Sequence, residues 1–108
     1  MGYSLDNALF QWREGEQRLE ATPEPARADL ERAVAGVVDE LRKRLGSSFV
    51  LDELADLYGE GTDWATALAT RYGASTDAAS VVDAAYARYA REASNFAGGR
   101  ARERHEKP

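Results

Sequence analysis

The sequence predicts an all-α fold: a compact irregular bundle of four or five helices, with a helix-turn-helix-like pair at about 51–72. Apolar residues recur every three or four positions along most of the chain, the spacing that lines one face of a helix. The alternating apolar and polar pattern of a half-buried strand is missing from the sequence, and so is any internal repeat. Glycines stand where the predicted helices should end, at Gly46, Gly59, Gly61, Gly73 and Gly98.

The first helix is predicted from a cap at Ser4 to about Glu20. Its apolar stripe consists of Leu5, Ala8, Leu9, Trp12 and Leu19. Phe10 falls outside this stripe, so it is either covered by a second layer of the bundle or exposed and available to a partner. We expect the first arrangement, because small bundles often cover one helix on several sides.

The second helix is predicted to follow the boundary Thr22-Pro23-Glu24-Pro25, where threonine caps and proline suits the first turn. It carries the longest apolar stripe of the chain and ends at Gly46, and the stripe comprises Leu30, Ala33, Val34, Val37, Val38, Leu41 and Leu45. The basic residues Arg42, Lys43 and Arg44 occupy its last turn. We interpret them as complements to the helix dipole rather than as a phosphate site.

Three further helices are predicted at about 51–58, at about 63–72 after a cap at Thr62, and from Ser75 or Thr76 to about Ala97. Arg88 and Glu92 on the last helix have the spacing of an ion pair. The expected core comprises Trp12, Val34, Val37, Leu41, Leu54, Leu68, Val82 and Tyr89.

The sequence predicts one helical domain over residues 1–97 and a flexible charged tail over residues 98–108. A chain of 108 residues has the length of a single domain. After Gly98-Gly99 the chain offers charge but no apolar residue larger than Ala101, so it has little surface to bury.

Composition limits the classes of function. The net charge of −5 argues against a general affinity for nucleic acid or for an anionic membrane. The first residues lack the basic and apolar regions of a signal peptide, and no stretch approaches the roughly 20 apolar residues that span a bilayer. We therefore expect a cytoplasmic protein without a membrane segment.

The sequence contains few candidate catalytic or metal-binding residues. The chain has no cysteine, and its one histidine, His105, lies in the predicted tail without a neighbouring metal ligand. Asp52, Glu53 and Asp56 could present oxygen ligands to Mg²⁺ from one helix face, but such sites draw a second acidic pair from another helix. Asp39 and Glu40 are adjacent in sequence and point away from each other, so only one of them can converge. We expect no enzyme, no catalytic or metal site and no cofactor.

The charge pattern is most unusual between Leu45 and Thr70, where the sequence contains no lysine or arginine. The same segment has helix-turn-helix spacing, with Ala65 and Leu68 expected to pack against the third helix. On the outward side of the fourth helix, however, only Arg71 suits base or phosphate contacts. A helix-turn-helix DNA-binding regulator is therefore the alternative interpretation, with cations supplied from elsewhere. The acidic charge of the segment argues against binding to nucleic acid.

The favoured interpretation is a non-catalytic protein-interaction module or small regulatory adaptor. An acidic helical face steers a partner with a basic surface, and an aromatic residue anchors it. The predicted partner-binding residues are Asp52, Asp56, Glu60, Asp63 and Trp64. Self-association is a further expectation, either through the stripe from Leu30 to Leu45 or through a small-residue groove formed by Ala90, Ala93 and Ala97.

Overall fold

The structure confirms the predicted all-α bundle. The computed structural model describes residues 5–46, 50–74 and 77–106, and side chains as far as Glu92. Over these ranges the chain forms helices and turns and no strand. The helices are α1 (Leu5–Ala21), α2 (Ala26–Leu45), α3 (Leu51–Glu60), α4 (Asp63–Arg71) and α5 (Ala78–Glu106).

Helix α5 forms the centre of the bundle. Residues 81–86 are six consecutive buried positions, so this part of the helix is covered on every side. Helix α1 makes the most extensive contact with α5, followed by α2, and α4 and α3 cover the remaining sides. The other four helices are therefore positioned mainly by what they bury against α5.

Helices α1 and α5 approach closely at Gly15. A Cβ atom at this position would overlap the Cβ of Asp83 and would lie only 3.1 Å from the carbonyl oxygen of Ser80 and 3.2 Å from the amide nitrogen of Ala84. Two of these three neighbours are backbone atoms of α5, which cannot turn away as a side chain can. The absence of a side chain at Gly15 thus sets the separation of the two helices.

Most of the predicted core is confirmed, and Leu68 and Phe10 are exceptions. Leu68 is only partly buried, because Ala65 and Ala69 occupy the inner side of α4. Phe10 is 62% exposed, so the expectation that a second layer covers it is wrong. The reason is that α1 turns its opposite side to the bundle, and the residues buried there are Ala8, Trp12, Gly15 and Leu19.

Three of the predicted glycine stops are confirmed by positive φ angles: 74° at Gly46, 131° at Gly61 and 96° at Gly73. Gly59 instead lies within α3, and α5 continues past Gly98 to Glu106. A glycine inside a helix costs only about 1 kcal/mol, and the arginine, alanine and glutamate residues that follow favour helix. The flexibility of the tail stays a prediction.

The predicted helix starts have mixed outcomes. Ser4, Ser75 and Thr76 lie outside the described residues. Thr62 precedes α4 as expected, but its side chain makes no capping hydrogen bond. Thr22 does not cap α2, whose first flanking residue is Pro25. Its hydroxyl instead donates to the carbonyl oxygen of Arg18, 3.0 Å away, at the end of α1.

Candidate functional site

A buried cluster of aromatic residues with one carboxyl group lies where α1, α3 and α5 meet. The rings of Trp12, Tyr58 and Tyr86 are in mutual contact, with centroids 5.1 to 5.6 Å apart. The Tyr58 hydroxyl donates to Oδ1 of Asp83 at 2.7 Å. Only 8% of Asp83 is exposed. Burial raises the pKa of this carboxyl, and the hydrogen bond from Tyr58 and the charge of Arg18 oppose that effect.

Two polar atoms of this cluster have no hydrogen-bond partner in the part of the chain that the structure describes. They are the indole nitrogen of Trp12 and the hydroxyl of Tyr86, and both side chains are fully buried. Burial also raises the pKa of Tyr86 well above its ordinary value. Since a substrate has no access to these groups, we interpret the cluster as the element that joins three helices rather than as a reaction centre.

The predicted partner-binding carboxylates all lie on the surface. Asp52, Asp56 and Glu60 are spaced four residues apart along α3, so they form one line about 12 Å long. Asp63 follows Glu60 by three residues and lies in the first turn of α4. All four side chains are exposed. We refer to Asp52, Asp56, Glu60 and Asp63 as the acidic row.

The acidic row differs from the other acidic surfaces in its lack of neutralising cations. None of its four carboxylates forms an ion pair among the described side chains. Most carboxylates elsewhere in the described part of the chain pair with arginines instead, although Asp6 and Glu20 on α1 do not. These pairs are Glu14–Arg18, Glu16–Arg91, Glu24–Arg27, Asp29–Arg32, Glu31–Arg88, Asp39–Arg42, Glu40–Arg44 and Glu92–Arg42.

Two of these ion pairs correct a sequence expectation. Arg88 and Glu92 do not pair with each other. Arg88 instead pairs with Glu31 at 2.7 Å, and Glu92 pairs with Arg42 at 2.9 Å. Both pairs connect α2 to α5, because the packing of these helices brings oppositely charged side chains closer than the spacing within α5 does.

Glu53 has a role separate from that of the acidic row. Its Oε1 accepts the backbone N–H of Val50 at 3.1 Å, which satisfies a donor at the start of α3. This capping contact explains why a carboxylate is useful at Glu53. It does not explain Asp56 or Glu60, which lie beyond the first turn and repel their neighbours in the row.

Trp64 lies next to Asp63 but is partly buried. The guanidinium carbon of Arg44 is 4.1 Å from the centroid of its ring, which is the geometry of a cation–π contact. Trp64, Leu68 and Tyr72 are spaced four residues apart on the side of α4 that faces α2, and the Tyr72 ring lies against Gly36. Trp64 thus follows Asp63 directly in sequence, and Arg44 lies over one face of its ring.

Helices α3 and α4 do not pack as a helix-turn-helix pair. The two-residue connection Gly61-Thr62 joins them, yet they make little contact with each other. Helix α3 packs on α1 and α5, whereas α4 packs on α2 and α5. The prediction that Ala65 and Leu68 pack against the third helix is therefore wrong, since each helix buries its apolar side against a different neighbour. Packing between the two helices is what presents a recognition helix to DNA.

A shallow groove of about 200 Å³ lies between α1, α5 and the start of α3. Its apolar lining comprises Leu9, Trp12, Leu51, Ala87 and Ala90, and its charged lining comprises Arg13, Glu16 and Arg91. Arg91 forms an ion pair with Glu16 here. The hydrogen bond from Arg91 holds the pKa of Glu16 below its ordinary value, although burial opposes it.

The predicted surfaces for self-association have different outcomes. Leu30, Val34, Val37 and Leu41 of the α2 stripe are buried within the bundle, so this stripe is not available to a second copy. Ala90 is also buried, and the side chains of Ala93 and Ala97 lie outside the described residues.

In the described part of the chain, no group of three or more histidine, cysteine, aspartate or glutamate side chains is arranged to hold a metal ion. None of the helices, over the residues described, is long and apolar enough to cross a membrane. Comparison with known proteins finds no matching family model, no significantly similar curated protein and no significantly similar solved structure.

Proposed function

We propose that this chain is a protein-interaction module whose acidic row binds a partner with a basic surface. The observation that carries the proposal is the segregation of charge. Most carboxylates of α1, α2 and α5 pair with arginines, while Asp52, Asp56, Glu60 and Asp63 are exposed carboxylates with no ion pair among the described side chains. Carboxylates four residues apart disfavour the helix by a few tenths of a kcal/mol. The fold does not need them.

Trp64 is the aromatic member of the proposed surface. A one-signed row of charge raises the rate of encounter with a basic partner, and an aromatic contact adds binding energy at short range. Arg44 stacks on Trp64, with its guanidinium carbon 4.1 Å from the centroid of the ring. A cation of the partner can compete with Arg44 for the ring once the partner has docked.

The alternative function, DNA binding by α3 and α4, has less support. The two helices pack on different neighbours, and the exposed side of α4 offers Arg71 as its cation. A duplex that contacts α4 also meets Asp63 in its first turn, whose charge repels the phosphates.

The experiment compares two charge-reversed variants with the wild type. The first carries Asp52→Lys, Asp56→Lys and Glu60→Lys. The control carries Glu20→Lys, Glu24→Lys and Asp29→Lys, which are exposed carboxylates on other elements and change the net charge equally. Binding to a fluorescent amphipathic peptide rich in lysine and arginine is followed by anisotropy at increasing salt, with circular dichroism to verify helicity.

We expect the first variant to weaken peptide binding roughly tenfold or more and the control to change it much less, with wild-type affinity falling as salt rises. Equal loss in both variants would show a response to net charge alone and would overturn the proposal. The same assay with a labelled DNA duplex tests the alternative, because duplex binding by the wild type at physiological salt would favour the DNA-binding function.

A further inference from the structure

We propose that a second copy of this chain docks on the outward face of α1, with Phe10 of each copy packed against the other copy's groove. This surface uses none of the acidic-row residues, although Leu51 of the groove directly precedes Asp52 in sequence. It combines an exposed aromatic side chain, a groove that is lined in part by residues of the same helix, and two charges of opposite sign. Both charges are unpaired within the described side chains.

Phe10 supplies the inserted group. It is 62% exposed, the largest exposed fraction among the large apolar side chains that the structure describes. The groove has an apolar lining formed by Leu9, Leu51 and Ala87 among others, and a volume of about 200 Å³. An apolar cavity of about 150 Å³ holds one benzene ring, so the groove matches the size of one phenylalanine side chain.

The inserted side chain and part of the groove lie on the same helix, which is why we propose a second copy as the occupant. Phe10 and the groove residues Leu9 and Arg13 lie on adjacent faces of α1. A contact with two-fold symmetry uses the same patch of both subunits, so each patch must contain both the inserted group and its receptor. The outward side of α1 meets this requirement.

Charge complementarity sets the orientation of the two copies. Asp6 and Arg13 are seven residues apart, about two helical turns, so they share one face of α1 with Phe10 between them. Neither has an ion-pair partner among the described side chains. An antiparallel pair of α1 helices with its axis between residues 9 and 10 brings Asp6 opposite Arg13 of the second copy, and Phe10 opposite Leu9 of that copy.

Sedimentation equilibrium of the full chain over a wide concentration range tests the proposal. We expect a dimer of the 11.9 kDa chain, and we expect Phe10→Ser to raise its dissociation constant roughly tenfold or more. The matched control is Tyr72→Ser, because Tyr72 is 51% exposed and directly follows α4, away from the proposed interface. This variant should dimerise like the wild type. Circular dichroism verifies that both variants are folded.

A charge exchange tests the antiparallel register. Asp6→Arg alone and Arg13→Asp alone each place like charges opposite each other, so each should weaken the dimer. The double variant restores the attraction and should recover it. A wild type that is monomeric at the highest concentration, a Phe10→Ser variant that dimerises as tightly, a Tyr72→Ser variant that is weakened equally, or a double variant that fails to recover would each overturn the proposal.

Discussion

Replacement of Gly15 by alanine tests whether the close approach of α1 and α5 organises the bundle. The new Cβ would overlap the Cβ of Asp83 and press on backbone atoms of Ser80 and Ala84. Overpacking of this kind costs about 1–3 kcal/mol and sometimes more. Because α5 presents backbone here, the two helices must separate, and we expect a cost near or above the top of that range.

The gain in helix propensity opposes this cost. Alanine favours a helix interior over glycine by about 1 kcal/mol. The net loss for Gly15→Ala is therefore about 2 kcal/mol or more, a large fraction of the roughly 5–15 kcal/mol that stabilises a domain. The assay is urea unfolding followed by circular dichroism, which gives the free energy of unfolding and its dependence on denaturant.

Gly36→Ala is the matched control, since Gly36 is also buried and helical. A Cβ at Gly36 would meet the ring of Tyr72, which is 51% exposed and can swing toward solvent. The free energy lost with the ring contact and the free energy gained from helix propensity are then similar in size. We therefore expect the free energy of unfolding to change by about 1 kcal/mol or less. If Gly15→Ala is as stable as Gly36→Ala, the α1–α5 contact adapts easily and the reasoning is refuted.

Two further predictions concern the core. Leu41→Ala should lower the free energy of unfolding by about 2–5 kcal/mol, because Leu41 is fully buried. A smaller loss in urea unfolding would mean that neighbouring side chains move in to fill the cavity. Asp83→Asn keeps an oxygen for the Tyr58 hydroxyl but removes the titration. Since burial raises the folded pKa of Asp83 above its ordinary 3.8, protonation favours the folded state. The free energy of unfolding of the wild type should therefore rise relative to that of Asp83→Asn as the pH falls from neutral through the raised pKa. If urea unfolding gives the two proteins parallel pH profiles, this prediction is wrong.

The sequence alone determined the helices and several of their ends. Helix formation depends on residues three and four positions apart, so the stripe containing Val34, Val37 and Leu41 is readable without knowledge of the fold. Gly46, Gly61 and Gly73 end helices because their backbones adopt positive φ. The predicted helix end at Gly59 is wrong, because a glycine permits a helix to end but does not force it to.

The acidic row was also readable from the sequence, because its residues are local and belong to two short helices. Their exposure follows from the apolar residues on the other side, such as Leu54 and Ala55. Their lack of ion pairs was not readable. It depends on where the arginines of α1, α2 and α5 lie, and the pair of Arg88 with Glu31 joins residues 57 positions apart.

Only the tertiary structure decided which helix packs against which. The spacing of α3 and α4 resembles a helix-turn-helix, but each helix buries more against α5 and a second neighbour than against the other. Burial of Asp83 was equally invisible, because the hydrogen bond from Tyr58 and the close approach of Gly15 come from distant parts of the chain. The periodicity of the sequence shows which side of a helix is apolar. Which neighbouring helix covers that side depends on how all the helices pack together.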